Sequence, residues 1–338
     1  MHKVFLSALA LCLMAQLGLA SADDPLLDAD DLSLPVGSDP YVPRKIGEVL
    51  STFNARREAE PVGAVHVVLV TDMDAVGLGK SVVRDHAAVK DLFTRGFAGT
   101  AVQVRFHEFA DNELTPRNVV KTIAGLNLVA KDALVVYFAG HGELVPTDEV
   151  VGVIPNVNGA REIFRSHHVL KIGDEGLARA NVRSAMERTG ARLKVLLADA
   201  CRPLPPNANP GRAPLNPEFK PRTELDTRSV NKTVFSELFA LQSGFIDVST
   251  GVALADPDRG GILTQCFVAA CCYQSPTFTS QPRTRPPAAV RDRRLTIAPT
   301  RIDRNGDNFV NWREFLQLWL HLIVDYSGAE QSAGLDIR

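Results

Sequence analysis

The sequence has few of the features that would place it in a specialised class of protein. Lys and Arg number 37 against 39 Asp and Glu, for a formal net charge of −2, and the basic residues form no long block. Such a balance lacks the electrostatic footprint of a nucleic-acid-binding protein, so no nucleic-acid partner is expected. We find no internal repeat. The hydrophobic content of 45% is ordinary, and 338 residues are enough to bury a large core.

Cysteine is also scarce, with five residues in the chain. Three of them, Cys266, Cys271 and Cys272, share one apolar and helix-like run. Adjacent or same-helix cysteines do not easily meet disulfide geometry, so we interpret them mostly as small buried hydrophobic residues. The alternative is a disulfide between Cys266 and a distant partner such as Cys201.

Long apolar runs are absent except at the start of the chain. Lys3 precedes an apolar stretch over residues 4–20, and Ala20-Ser21-Ala22 resembles a small-residue cleavage site. This pattern predicts a signal peptide over residues 1–22 and an exported protein, periplasmic or secreted. An uncleaved membrane anchor is the alternative, since the stretch is near the lower length limit for a span. After cleavage no stable membrane association is expected.

The rest of the chain predicts one domain with flanking segments. Residues 23–60 are interpreted as an N-terminal extension, 61–325 as the globular domain and 326–338 as a tail. Apolar runs alternate with amphipathic segments, which predicts an α/β fold: a three-layer α/β/α sandwich with a mostly parallel central sheet. Strands are predicted at 65–70, 101–109, 133–140, 150–154, 193–198 and 235–241, and helices at 80–94, from 115 onward, at 174–188 and at 261–272. Pro-rich stretches at 202–230 and 275–300 are expected to be loops.

Two of the predicted strands end in reactive residues. The run ALVVYFAG leads into His141-Gly142, and LKVLLA leads into Asp199-Ala200-Cys201. Because chemistry gathers where parallel strands end, we expect the imidazole and the thiol to meet as a base and a nucleophile. The N–H of Gly142, with no side chain beside it, can approach a substrate carbonyl and serve in an oxyanion hole.

This order of motifs, with His-Gly after one strand and Asp-Ala-Cys-Arg after another, resembles the caspase-like cysteine peptidases. The aspartate before the cysteine makes it most similar to metacaspases and the bacterial caspase-like proteins. The resemblance covers roughly residues 62–325 and implies a caspase-like fold and a cysteine endopeptidase acting on peptides or proteins. Pro203 and Ala139 depart from the metacaspase pattern.

The resemblance also implies a substrate preference. In metacaspases, an acidic residue just before the cysteine and another on the first helix bind a basic side chain, and these match Asp199 and Asp85. Cleavage after Arg or Lys is therefore expected. Asp85 could equally be a solvated helix residue. Because Arg202–Arg228 contains several basic residues beside the expected nucleophile, the peptidase is also expected to cut itself there.

A second motif lies near the C-terminus. Residues 303–314, DRNGDNFVNWRE, match the twelve-residue EF-hand loop, which predicts a single Ca²⁺ site. The expected ligands are Asp303, Asn305, Asp307, the Phe309 carbonyl, Asn311 and Glu314. Asn308 stands where EF-hands have glycine, and asparagine tolerates the left-handed conformation. The alternative is an Asp/Asn-rich turn that caps a final helix predicted over 312–324.

Two other functions remain open from the sequence. The first is a non-catalytic, calcium-stabilised interaction module of the same fold, and the second is a peptidase that cleaves after Asp or Asn. The sequence does not indicate an oligomeric state or an organic cofactor.

Overall fold

The computed structural model describes residues 56–146, 148, 152–155, 161–164, 166–200, 230–250, 255–256, 260–272, 302–303, 305–327 and 333–337. The predicted signal peptide, most of the N-terminal extension, Cys201, and nearly all of both Pro-rich stretches lie outside the described residues.

The secondary structure alternates between strands and helices along most of the described chain. The strands are β1 (Arg56–Arg57), β2 (Ala64–Thr71), β3 (Gln103–Glu108), β4 (Asp132–Ala139), β5 (Gly142–Pro146), β6 (Gly152–Pro155), β7 (Arg161–Phe164), β8 (Ser166–Ile172), β9 (Glu175–Ala178), β10 (Leu193–Asp199), β11 (Gln242–Thr250), β12 (Ala255–Asp256), β13 (Gly260–Gly261) and β14 (Ala333–Ile337). The helices are α1 (Gly79–Gly96), α2 (Pro116–Gly125), α3 (Arg179–Glu187), α4 (Lys232–Ala240), α5 (Ile262–Cys271) and α6 (Trp312–Ser327).

The central sheet has the strand order β1-β11-β10-β4-β2-β3, and β14 also pairs with β11. Strands β3, β2, β4, β10 and β11 run parallel, while β1 and β14 are antiparallel to β11. The three innermost strands are buried over nearly their whole length, because helices cover both faces of a parallel sheet.

Alternate residues of these strands enter two separate apolar layers. Val67, Val135 and Val195 face the layer formed with α1, α4, α5 and α6. Val68, Val136 and Leu196 face the layer formed with α2 and α3. The predicted fold class, a three-layer α/β/α sandwich with a mostly parallel sheet, is confirmed.

Several predicted elements form for the reasons expected. Thr115 caps α2, since its side chain accepts a hydrogen bond from the N–H of Asn118 at 3.2 Å, with Pro116 at the first helical position. Cys266 and Cys271 are fully buried in the apolar layer around α5. Among the described residues, no helix combines the length and the apolar character that a membrane span requires.

Two predicted elements are wrong. The sequence predicts a strand over residues 235–241, but residues 235–240 belong to helix α4, because Phe235, Leu238 and Phe239 recur at helical spacing and bury one face. The strand in this region is β11, which begins at Gln242 and which its polar residues concealed. The helix predicted at 174–188 begins only at Arg179, since β9 precedes it.

Candidate active site

The two strand ends singled out by the sequence are neighbours in the sheet. Strands β4 and β10 pair in parallel, and Ala139 is the register partner of Asp199. The N–H of Gly140 donates to the carbonyl oxygen of Asp199 at 3.3 Å. His141 and Cys201 therefore each follow this register pair by two residues in sequence. Cys201 itself lies outside the described residues.

The imidazole of His141 is oriented by a backbone carbonyl. Its Nε2 lies 2.8 Å from the carbonyl oxygen of Val76, in the segment between β2 and α1. Because a carbonyl can only accept, Nε2 carries the hydrogen, and Nδ1 is left as the basic nitrogen. Sequence reasoning did not find Val76, since a backbone acceptor has no side-chain signature.

Gly142 begins β5 and pairs with Leu170 of antiparallel β8. The N–H of Lys171 donates to the carbonyl oxygen of His141 at 2.9 Å. This bond makes Gly142 and Leu170 a non-hydrogen-bonded pair, in which the N–H groups point away from the partner strand. The N–H of Gly142 is therefore directed away from β8, as an oxyanion donor requires.

His141, Asp85 and Asp199 line one cavity of about 90 Å³. The other lining residues are small or apolar: Leu78, Ser81, Val82, Ala139, Gly140, Ala255 and Gly261. None of the described lining residues is Lys or Arg. The wall of the cavity therefore contains two carboxyl groups and one histidine, with no lysine or arginine to neutralise the carboxyl groups.

Asp199 lies at the end of β10 and is buried. One of its oxygens accepts hydrogen bonds from Thr264, through the backbone N at 3.1 Å and Oγ1 at 2.8 Å. Burial raises the pKa of Asp199 to about 6, and the Thr264 hydrogen bonds oppose that rise. Since Thr264 Oγ1 donates to Asp199, it can accept from the hydroxyl of Tyr137, which lies 2.6 Å away.

Asp85 projects from α1 and is also buried, so it is not a solvated helix residue. Both of its oxygens lie 2.9 Å from the N–H of Gly261, which donates to them. Burial raises the pKa of Asp85 well above its usual value, and the nearby charge of Asp199 adds to that effect. The structure therefore brings together the two acidic residues that are far apart in the sequence.

The strand β13 packs its backbone against the two carboxyl groups. A Cβ placed on Gly260 would meet Oδ1 of Asp85, and one placed on Gly261 would meet Oδ2 of Asp199. Gly260 also has a φ of +99°, a conformation that residues with side chains rarely adopt. The absence of side chains on β13 thus leaves room for the acidic wall of the cavity.

The predicted calcium loop is compact. Asp303 accepts hydrogen bonds from the N–H groups of Gly306 (2.8 Å) and Asn308 (3.1 Å). The two oxygens of Glu314 accept from the N–H groups of Asn305 (3.2 Å) and Asn311 (3.1 Å). Asp307 accepts from the N–H of Phe309 at 2.8 Å.

The loop conformation fits a cation-binding loop in one specific respect. Asn308 has a φ of +61°, the left-handed conformation that the sixth position of an EF-hand loop requires. The oxygen donors at the expected positions also suit calcium. Within the described ranges, no group of three or more His, Cys, Asp or Glu side chains is arranged to hold a metal ion.

The loop is connected to the core through Glu237 and Trp312. The N–H of Val310 donates to Glu237 at 2.9 Å, and the indole N–H of Trp312 donates to the carbonyl of Leu238 at 2.8 Å. Trp312, Phe315 and Trp319 of α6 are buried. The indole N–H of Trp319 reaches the carbonyl of Leu263, one residue before Thr264.

Comparison with known proteins gives a distant likeness at the level of structure alone. No family model matches the chain, and no curated protein matches it. A crystal structure of a protein from Geobacter sulfurreducens is similar with a TM-score of 0.36 and 13% identity, over 61% of this chain and 80% of that one. Caspase-1 from Spodoptera frugiperda is similar with a TM-score of 0.35 and 11% identity, over 66% of this chain and 73% of that one.

Proposed function

We propose that this chain is an exported cysteine endopeptidase that cleaves peptides or proteins after Arg or Lys. One observation carries the proposal: His141, Asp85 and Asp199 line a single cavity at the end of two adjacent strands, one of which leads to Cys201. The cavity supplies a base and a pair of acidic groups, and the sequence supplies the thiol two residues after Asp199.

The chemistry divides between Cys201, His141 and Gly142. Nδ1 of His141 takes the thiol proton, and the Cys201 thiolate attacks the scissile carbonyl carbon to form a C–S bond. The oxygen gains the negative charge, which the N–H groups of Gly142 and Cys201 stabilise. The C–N bond then breaks, and Nδ1 gives its proton to the leaving amine. A water molecule then loses a proton to Nδ1 and attacks the thioester carbonyl carbon. The C–S bond breaks, the acid product leaves, and Nδ1 returns the proton to the sulfur of Cys201.

Val76 contributes to this sequence of steps without touching the substrate. Its carbonyl accepts from Nε2 of His141 and so leaves Nδ1 as the nitrogen that accepts and returns the proton. The same carbonyl stabilises the imidazolium that forms while the proton is on the ring.

The acidic cavity is the proposed binding site for the basic side chain of the substrate. A guanidinium or ammonium group entering between Asp85 and Asp199 would form charge-assisted hydrogen bonds with them. It would also favour ionisation of both carboxyl groups, whose pKa values burial raises. Asp at this position would place a like charge against two acids, and the neutral amide of Asn would donate weaker hydrogen bonds than a guanidinium, so both are disfavoured.

The test is a library of fluorogenic peptides that differ in the residue before the cleaved bond, assayed with reduced thiol. We expect cleavage after Arg and Lys that both Cys201→Ala and His141→Ala abolish. Cleavage after Asp or Asn would reject the basic preference while keeping the peptidase. If wild-type protein cleaves no peptide, with and without calcium, the non-catalytic interaction module is the better explanation.

Two further features are proposed from the sequence motifs. The loop 303–314 would hold one Ca²⁺ through Asp303, Asn305, Asp307, Phe309, Asn311 and Glu314, as a structural or regulatory ion. Self-cleavage would occur in the Pro-rich stretch, whose basic residues include Arg212, Lys220, Arg222 and Arg228. Self-cleavage predicts that purified wild-type protein separates into two chains on a denaturing gel and that Cys201→Ala stays intact.

A further inference from the structure

We propose that Asp72 is a positioning residue for His141, acting through the backbone segment that carries Val76. The inference rests on the proposed role of His141 as the catalytic base. It extends that role by identifying what fixes the imidazole in one tautomer and one orientation. The hydrogen bond to Val76 can do this only if the Val76 carbonyl is itself held in place.

The Val76 carbonyl is not held by its own side chain. Val76 is 89% exposed, so its packing contributes little to fixing the backbone. The segment is instead a series of tight turns that starts at Asp72: the N–H of Ala75 donates to the carbonyl of Asp72 at 3.2 Å, and the N–H of Leu78 donates to that of Ala75 at 3.0 Å. Val76 is therefore held between Asp72 on one side and the start of α1 on the other, where the N–H of Gly79 also donates to the carbonyl of Ala75 at 2.9 Å.

Asp72 is anchored at a distance from its own segment. Its side chain is buried, and Oδ2 accepts a hydrogen bond from the N–H of Gly173 at 3.0 Å. Gly173 lies in the turn between β8 and β9 with a φ of +55°, a conformation for which glycine is suited. The buried carboxylate thus connects the end of β2 to a turn more than a hundred residues later.

The strand that leads into this turn, β8, holds His141 from the other side. The N–H of Lys171, two residues before Gly173, donates to the carbonyl of His141 at 2.9 Å. These contacts form a closed ring. Nε2 of His141 bonds to the Val76 carbonyl, the backbone connects Val76 to Asp72, the Asp72 side chain bonds to Gly173, and Lys171 bonds back to His141. Both partners of the hydrogen bond between His141 and Val76 are therefore connected to the β8–β9 hairpin.

Close packing reinforces this ring at the strand ends. The N–H of Asp72 donates to the carbonyl of Ala139 at 3.1 Å, and a Cβ placed on Gly140 would lie 3.3 Å from the Cβ of Asp72. Asp72 nevertheless does not belong to the lining of the acidic cavity. Its loss should therefore alter the alignment of His141 and leave binding of the basic side chain unchanged.

The decisive experiment is nitrogen NMR of the His141 ring in protein labelled at histidine. His141→Gln identifies the signals. Wild-type protein should show the tautomer with hydrogen on Nε2, and Asp72→Ala should show a mixture of the two tautomers. Asp72→Asn keeps an oxygen acceptor for Gly173 and should restore the wild-type spectrum. Asp74→Ala is the matched control, since Asp74 is exposed in the same segment.

Kinetics give an independent reading. For an arginyl peptide, Asp72→Ala should lower kcat by about tenfold to a hundredfold and change KM by less than about twofold. Asp72→Asn should recover most of the loss, and Asp74→Ala should behave as wild type. A rise in KM with unchanged kcat would contradict a positioning role.

The inference and the proposed function fail in different ways. An unchanged His141 tautomer in folded Asp72→Ala overturns the inference, whatever the activity. Wild-type protein without peptidase activity overturns the proposed function, while the NMR comparison still decides how His141 is held. If Asp72→Ala does not fold, Asp72→Glu keeps the charge, displaces the carboxylate by one methylene, and should give the same tautomer mixture.

Discussion

Thr264 donates two hydrogen bonds to the same carboxylate oxygen of Asp199, one from its backbone N and one from Oγ1. Thr264 lies in the first turn of α5, where the helix start also favours a negative charge. These bonds offset only part of the desolvation, so the pKa of Asp199 remains at about 6. The charge of the cavity therefore changes within the pH range in which the protein can be assayed.

The first prediction concerns the pH dependence of substrate affinity. A cationic side chain binds the ionised carboxyl groups better, so KM for arginyl peptides should fall as the pH rises through about 6. Thr264→Val removes one hydrogen bond that lowers the pKa of Asp199, and should move the midpoint of the KM profile to higher pH. Thr264→Ser keeps the hydroxyl and should leave the midpoint in place. If Thr264→Val does not change the midpoint of the KM profile, Asp199 does not bind the substrate side chain.

The second prediction is that Asp199→Asn stabilises the protein while removing the basic preference. The folded pKa of about 6 lies above the ordinary 3.8, so the folded state binds this proton more tightly and loses stability as the pH rises between those values. The variant avoids that loss and should gain about 2–3 kcal/mol in free energy of unfolding at pH 8. The gain should vanish below about pH 4. Urea denaturation at both pH values measures it.

The control for this comparison is Asp74→Asn, which removes a carboxylate that is exposed to solvent. It should leave the free energy of unfolding nearly unchanged at both pH values. An equal free energy of unfolding for Asp199→Asn and wild type at pH 8 would mean that burial of the ionised Asp199 does not destabilise the protein.

The third prediction addresses the glycine wall. In Gly261→Ala, the new Cβ would displace the carboxylate of Asp199, so KM for arginyl peptides should rise by about tenfold or more. Gly125→Ala is a matched control, because a Cβ at that position would meet no atom within 4 Å. Steady-state kinetics on both variants decide the matter. If KM is unchanged in Gly261→Ala, the basic side chain of the substrate does not bind beside Asp199.

The fourth prediction tests the loop 303–314. If it holds calcium, saturating Ca²⁺ should raise the Tm of protein prepared with EDTA by about 3–8 °C, and the same concentration of Mg²⁺ should raise it less. Glu314→Gln should remove most of the calcium-induced rise. Glu187→Gln, an exposed change on α3, should keep it. If calcium does not change the Tm, the loop is better explained as a turn that caps α6.

The sequence was sufficient to predict the strand ends that build the site. Continuous apolar runs such as LVVYFA and VLLA occur in strands that are buried on both faces, and such strands lie in the middle of a parallel sheet. Placing His141 and Asp199 at the same edge followed directly from that interpretation.

The remaining parts of the site have no local sequence signal. The carbonyl of Val76 acts through the backbone, and Thr264 reaches Asp199 only because α5 packs against the end of β10. The strand prediction at residues 235–241 was wrong for a related reason, since a short apolar run fits a buried helix as well as a buried strand. In each case the partner was supplied by a distant segment, which periodicity does not identify.

The acidic cavity has a consequence for when activity can arise. Its lining extends from Leu78 to Gly261 and draws on α1, β4, β10, β12 and β13. No fragment shorter than that stretch contains the whole cavity. Because parallel pairing between distant segments forms late in folding, a partly folded chain would carry the reactive histidine without a place to bind a substrate. If the chain is the peptidase proposed above, its activity would appear only once the sheet is complete.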